Sequence, residues 1–278
     1  MTKLIADSGA TKAEWCLLSK GKKKTLFTQG ISPYFLNQQQ IAEILNKELA
    51  SKIKTPINEI HYYGTGCLNP KNALLVKKAI RSVFTKTKKV EVTHDLMAAA
   101  RALCGHQKGI VANLGTGSFC CYYNGKKIVS KIPGIGYVLG DEGSGAYLGR
   151  KVIQYYLYHT FDEYLKARFD EKFNTNKMEI LENVYKKPLP NRYLASFTKF
   201  LAENRRHYMV ENIIEDGLND FFFTHLIKFN EIWKMPVHFV GGVAFGFKDV
   251  LQQLCDSYGF ELGKILKNPM EGLTEYHK

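Results

Sequence analysis

A chain of 278 residues that is 45% hydrophobic and 23% charged has the composition of a globular protein, with room for two domains. It lacks any run near the roughly 20 apolar residues of a membrane helix, and its N-terminus reads straight into a strand with no signal-peptide pattern, so a cytoplasmic location and no membrane partner are expected. The net charge of +13 comes from short lysine runs at turns and helix ends, without a nucleic-acid motif; it reads as solubility and mild attraction of anionic ligands, not as nucleic-acid binding. The six cysteines (16, 67, 104, 120, 121 and 255) form no C-x-x-C pair, which disfavours zinc or iron–sulfur ligation and fits reduced, buried thiols.

In chain order, Leu4-Ile5 begins a strand that stops at Asp7, turns on Ser8-Gly9-Ala10 and resumes as a second strand through Trp15-Cys16-Leu17-Leu18. A hairpin needs only two turn residues; this one adds the Thr11 hydroxyl and the Lys12 ammonium. Residues 38–54 place Ile41, Ile44, Leu45, Leu49 and Ile53 on one helical face. Residues 59–66 read as a strand ending in a glycine turn, 73–84 as a helix and 90–95 as an alternating strand. An alanine-rich helix over 95–103 opens on Asp95, a favoured helix-capping residue. His94 beside it reads as a core or solvent histidine, or as support for Asp95.

Residues 104–109 read as a domain boundary. Beyond it, Ala112-Asn113-Leu114-Gly115-Thr116-Gly117 repeats the arrangement of residues 6–11. Both follow an apolar strand, both precede another, and both hairpins close on a Gly-Lys turn (Gly21-Lys22 and Gly125-Lys126). The chain uses one hairpin device twice, once per domain, with domains 1–106 and 107–278. Helices are expected over 145–169, 192–204, 208–230 and 247–258, with a strand and double glycine over 237–244. Trp15 and Phe119 read as core. Strands alternating with helices define an α/β fold.

Backbone N–H groups of a tight glycine turn suit a phosphate, which has no shape for side chains to grip. Asp7 can hold Mg²⁺ through water, because magnesium keeps several waters. Two hairpins held by glycine for geometry alone are the plain alternative for either loop taken singly.

Four motifs in this order resemble those of the BadF/BadG/BcrA/BcrD ATPase family, which includes N-acetylglucosamine kinases, within the actin, heat-shock chaperone and sugar-kinase superfamily. They are Asp7-Ser8-Gly9-Ala10-Thr11-Lys12 (the family has glycine at Ser8), Gly115-Thr116-Gly117-Ser118, Gly140-Asp141-Glu142-Gly143-Ser144 and Gly241-Gly242-Val243-Ala244. The resemblance implies two ribonuclease H-like (actin-like ATPase) domains, each a mixed sheet flanked by helices, with the nucleotide in the cleft between them. It implies ATP and Mg²⁺ as cofactors, with phosphates on Asp7, Ser8, Gly9, Thr11, Lys12, Gly115, Thr116, Gly117 and Ser118, and adenosine on Gly241, Gly242 and Ala244.

The same resemblance implies Asp95 as catalytic acid/base and a sugar contact at Asp141, with Glu142 nearby; both acids could instead cap the helix that follows. Ser32, Gly64 and Thr65 are further candidates for lining the substrate site, although the family's loop asparagine has no counterpart in residues 30–34. The implied activity is phosphoryl transfer to an amino sugar, N-acetylglucosamine or N-acetylmuramic acid. The alternatives are an ATPase activator of a 2-hydroxyacyl-CoA dehydratase type system, and a nucleotide-dependent interaction protein. A homodimer is compatible with the sequence, which does not fix the oligomeric state.

Overall fold

The apolar runs on either side of Asp7 form β1 (Lys3–Ser8) and β2 (Lys12–Ser19), paired antiparallel from Lys3↔Leu18 to Ser8↔Ala13. Lys20 and Gly21, at φ 47° and 77°, turn the chain into β3 (Lys22–Gln29), because two left-handed residues match the twist of a tight hairpin. The structure, a computed structural model, describes residues 1–9 and 12–278. Those residues divide into two compact units, Met1–His106 with Pro269–Lys278, and Gln107–Asn268.

In the first unit, the predicted helix over 38–54 is α1 (Gln38–Ile44), opened by an Asn37/Gln40 capping box and continued by a π-helical turn to Leu49 and a 3₁₀ turn to Lys52. β4 (Glu59–Gly64), α2 (Pro70–Val83), β5 (Lys89–His94) and α3 (Asp95–Cys104) follow. β4 pairs parallel with β1 and β5 parallel with β4, so the strand order is β3-β2-β1-β4-β5. Trp15, Tyr62, Leu4, Ile41, Leu45, Ile60 and Ile80 fill the core. The buried Trp15 indole N–H donates to Thr28 Oγ1 at 3.0 Å, as a buried polar group requires.

The second unit repeats the plan. β6 (Lys108–Leu114), β7 (Ser118–Asn124) and β8 (Ile128–Lys131) form a meander. β9 (Val237–Val240) and β10 (Leu262–Leu266) add parallel beside β6. The order β8-β7-β6-β9-β10 is that of the first sheet. Phe119 is only half-buried, unlike Trp15.

Between β8 and β9 the chain is helical: α4 (Gly136–Leu139), α5 (Gly145–Leu157), α6 (Glu163–Phe173), α7 (Lys177–Tyr185), α8 (Pro190–Ser196), α9 (Thr198–Glu203) and α10 (Tyr208–Thr224). The single helix expected over 145–169 is therefore two. His159 turns left-handed at φ 56°, and the Asp162 carboxylate caps α6 by accepting from Leu165 N at 2.9 Å; a new cap starts a new axis. These helices bury a phenylalanine-rich core that includes Phe169, Phe197, Phe200, Phe221 and Phe222.

After β9 come α11 (Gly242–Gly246) and α12 (Lys248–Tyr258), then β10 and α13 (Met270–Tyr276). α13 packs on α3, where a Cβ on Gly272 would lie 2.2 Å from the Ala102 carbonyl oxygen. His277, just beyond α13, accepts a hydrogen bond from the Tyr63 hydroxyl at 2.8 Å; burial pushes its imidazole down to about 3, so it is a neutral acceptor. Residues 269–278 thus belong with the first unit, whereas the sequence reading grouped all of 107–278 together. No helix among the described residues is long and apolar enough to cross a membrane.

Candidate active site

The parallel strands of the first unit bring Ser8, Gly64 and His94 into one row, Ser8↔Gly64↔His94, at their carboxyl ends. Ligands of open α/β sheets bind at such an edge. Asp7 lies one residue back on β1, directly across from Glu14 on β2, and Asp95 follows β5 as the first residue of α3. Burial, then the charges of Asp95 and Glu14, push the Asp7 carboxyl up to about 7. Asp95 itself is exposed, with its Oδ1 accepting from Leu96 N at 2.9 Å. The capping residue of α3 is His94, whose Nδ1 accepts from Met97 N at 3.3 Å. Asp95 is thereby freed from capping, and its charge stands in the first turn, where the helix dipole favours it.

Asp7 gives a prediction that needs no activity assay. The folded protein keeps a proton on Asp7 up to about pH 7, whereas the ordinary carboxylate value is 3.8. The contribution of this group to stability is therefore complete below about pH 4 and is lost as pH rises through about 7. Asp7→Asn is expected to stabilise the protein at pH 8 by about 1–3 kcal/mol, since each pKa unit is worth about 1.4 kcal/mol before solvent screening, and to change little at pH 4. Urea denaturation at the two pH values checks this; an equal effect at both would contradict it.

Around this edge the side chains interlock. The Ser8 hydroxyl is buried, accepting from Ile31 N at 3.1 Å and donating to the Gly9 carbonyl at 3.3 Å, while the Tyr62 hydroxyl donates to the Ile31 carbonyl at 3.4 Å. Where the family has glycine, this serine ties β1 to the loop after β3, and its side chain is committed to protein partners. Thr65 N donates to the Ser8 carbonyl at 3.0 Å. Gly64 is required by Tyr62, because a Cβ there would meet that ring at 2.4 Å. Ser32 is buried, and its carbonyl accepts from Phe35 N and Leu36 N.

Gly9 N closes the first turn on the Lys12 carbonyl at 3.0 Å, and the Lys12 ammonium stands 3.8 Å from the centroid of the Phe27 ring. Thr11 lies outside the described residues. Ser8, Ser32, Gly64 and Thr65 are thus brought to the edge that carries Asp7 and Asp95. Tyr34 and Phe35, 66% and 82% exposed, stand in the Ser32 loop; sequence reading missed them, although adjacent aromatics in a Pro-containing loop were the available signal.

In the second unit Gly115–Ser118 joins β6 to β7, and Gly115 N bonds the Gly117 carbonyl at 3.0 Å. Gly241, at φ 125°, turns β9 into α11 against the end of β6; a Cβ there would lie 2.3 Å from the Leu114 carbonyl oxygen. Gly242 is open on its outer side, and Ala244 is buried. The Asp141 carboxylate is held above its ordinary value chiefly by burial, with the Ser118 amide acting in the opposite direction. Glu142 Oε2 lies 2.8 Å from His225 Nε2. The cap of α5 is neither acid but Ser144, whose Oγ accepts from Tyr147 N at 3.2 Å.

Each unit by itself carries residues that fit one part of a magnesium-bound phosphate. Ser118 Oγ is buried without a hydrogen-bond partner, an uncommitted donor in the glycine loop where buried hydroxyls are normally satisfied. In the first unit the mutual repulsion of Asp7, Asp95 and Glu14 is what a nearby cation relieves. No three His, Cys, Asp or Glu side chains converge as ligands among the described residues.

Two five-stranded sheets of one strand order, each with glycine loops at its strand ends, define the actin-like ATPase and sugar-kinase fold. Comparison with solved structures agrees. A proposed N-acetylglucosamine kinase from Porphyromonas gingivalis superimposes with a TM-score of 0.93 at 37% identity, over 99% of this chain and 98% of that one. A proposed N-acetylglucosamine kinase from Chromobacterium violaceum (TM-score 0.73, 16% identity, 100% and 99% covered) and a proposed N-acetylmannosamine kinase from Listeria monocytogenes (0.54, 16%, 99% and 98%) share the fold. No family model and no curated protein sequence matches the chain. At its identity and coverage with the P. gingivalis protein, the chain belongs to that protein's family of N-acetylglucosamine-kinase-like proteins.

Proposed function

We propose that the protein is an ATP-dependent kinase of an amino sugar, N-acetylglucosamine or N-acetylmuramic acid, and that its motif order places it in the BadF/BadG/BcrA/BcrD branch. The observation that carries this reading is Asp95: an exposed carboxylate released from helix capping by His94, at the strand-end edge shared with Asp7 and the first glycine turn. The family membership and the exposed Tyr34 and Phe35 beside Ser32 support a sugar as acceptor, since sugar faces rest on aromatic rings and their hydroxyls need polar neighbours.

When bound, ATP with Mg²⁺ supplies the phosphoryl group. Asp95 would orient the acceptor hydroxyl and take its proton as the new O–P bond forms and the bridging P–O bond to the γ-phosphorus breaks, with ADP leaving; such a base acts through placement more than through a shifted pKa. Asp7 would hold Mg²⁺ through water, and the metal would supply positive charge to the phosphates. In the second loop the Thr116 and Gly117 N–H groups and the Ser118 hydroxyl, which is buried without a partner, would receive phosphate oxygens, with Gly115 and Ser118 shaping the loop, and Gly241, Gly242 and Ala244 would border the adenosine. The activator reading lacks comparable support: Cys104, Cys120 and Cys121 are all buried, whereas cluster ligands at a subunit interface need exposure.

A screen of ATP consumption over N-acetylated and free hexosamines tests the proposal. One N-acetylated hexosamine is expected to stimulate turnover and to gain a phosphate by mass; no stimulation by any sugar would overturn the kinase reading.

A further inference from the structure

The Gly115–Ser118 loop is held by a segment that the sequence reading assigned to the sugar. Gly145 N donates to the Gly115 carbonyl at 2.8 Å and Ala146 N to the Thr116 carbonyl at 3.0 Å, so the first turn of α5 takes up the loop's carbonyls. The Asp141 carboxylate lies against the loop at Gly117 and faces the Ser118 amide, which lowers its pKa against the burial that raises it. Gly117 leaves the space for it: a Cβ there would come within 2.9 Å of Asp141 Oδ2. Asp141 stands at φ 59°, a left-handed conformation that costs a residue with a side chain about 1–2 kcal/mol. Its neighbours hold it there. Glu142 is anchored on His225, and Gly143, at φ 68°, is packed so closely on Phe221 that a Cβ would meet the Phe221 Cβ at 2.8 Å.

We propose that Asp141 is a positioning residue for the second phosphate loop: by holding the Ser118 amide it sets the loop's donors for phosphate, and so sets nucleotide affinity before any sugar arrives. The nucleotide half of this rests on the kinase reading. The hold on the Ser118 amide does not.

Two variants separate this role from sugar contact and from folding. Asp141→Gly removes the carboxylate and also relieves the left-handed strain, so the chain folds. Asp141→Asn keeps an accepting oxygen and tolerates positive φ. The measurements are hydrogen exchange at the Ser118 amide by NMR without ligand, and MgATP affinity by calorimetry without sugar. Asp141→Gly is expected to speed exchange about tenfold or more and to weaken MgATP binding by about tenfold, while Asp141→Asn stays within about threefold of wild type. Wild-type exchange and wild-type MgATP affinity in Asp141→Gly, with only the sugar KM raised, would overturn the proposal in favour of sugar contact. A wild type that binds no MgATP would overturn the kinase reading and the nucleotide half of the proposal, while the exchange rates still decide whether Asp141 holds the loop.

Discussion

Asp95→Asn is expected to lower sugar-stimulated ATP turnover by a factor on the order of 10²–10⁴, the contribution of a positioned general base, while leaving the fold intact. Asparagine is nearly isosteric and keeps an oxygen for Leu96 N, which Asp95 Oδ1 meets at 2.9 Å. The cap of α3 belongs to His94 and is unaffected. The site is exposed, so the stability change should stay within about 0.5 kcal/mol, as at ordinary surface positions. Steady-state kinetics beside a thermal melt give both numbers. Turnover unchanged in a folded variant would remove Asp95 from the reaction.

The second large effect is structural. In Gly241→Ala the new Cβ would lie 2.3 Å from the Leu114 carbonyl oxygen and 3.0 Å from Gly115 N, at φ 125°. Backbone cannot yield there as a side-chain tip can, and that φ is one that residues with side chains rarely adopt. The variant should lose about 3 kcal/mol or more of stability, and with it nucleotide binding, because the displaced atoms begin the Gly115–Ser118 loop. Gly242→Ala is the control: nothing lies within 4 Å of its added Cβ, and its effect on urea denaturation should be slight. Similar losses in both variants would show that the turn tolerates no side chain for reasons other than this contact.

What was legible in the sequence was local. Apolar runs split by small residues marked both hairpins, and the likeness of residues 6–11 to 112–117 foreshadowed two sheets of one strand order. The place of Asp95, where an alternating strand gives way to an alanine-rich helix, was legible too, while the role proposed for it came from the family resemblance.

What was hidden depends on partners distant along the chain. Nothing near His94 says that its imidazole caps the helix in place of the carboxylate beside it. Ser8 read as a departure from glycine, yet its hydroxyl answers the Ile31 amide 23 positions away, which pattern alone cannot bring together. Glu142 and His225 meet across 83 positions. The return of α13 to the first unit turns on a glycine pressed to a carbonyl, which leaves no hydrophobic period. The split of 145–169 came from a left-handed histidine, a conformation no propensity would suggest.

The pairing of the chain's first strand with its last helix has an architectural corollary. Lys3 Nζ donates to the His277 carbonyl, and to that of Lys278 at 3.2 Å, so residues near the two ends of the sequence are stitched side by side. The 107–268 unit is in effect an insert spliced into the other. A fragment cut after His106 would therefore lack α13, which packs on α3, so the first unit needs residues from both sides of the second.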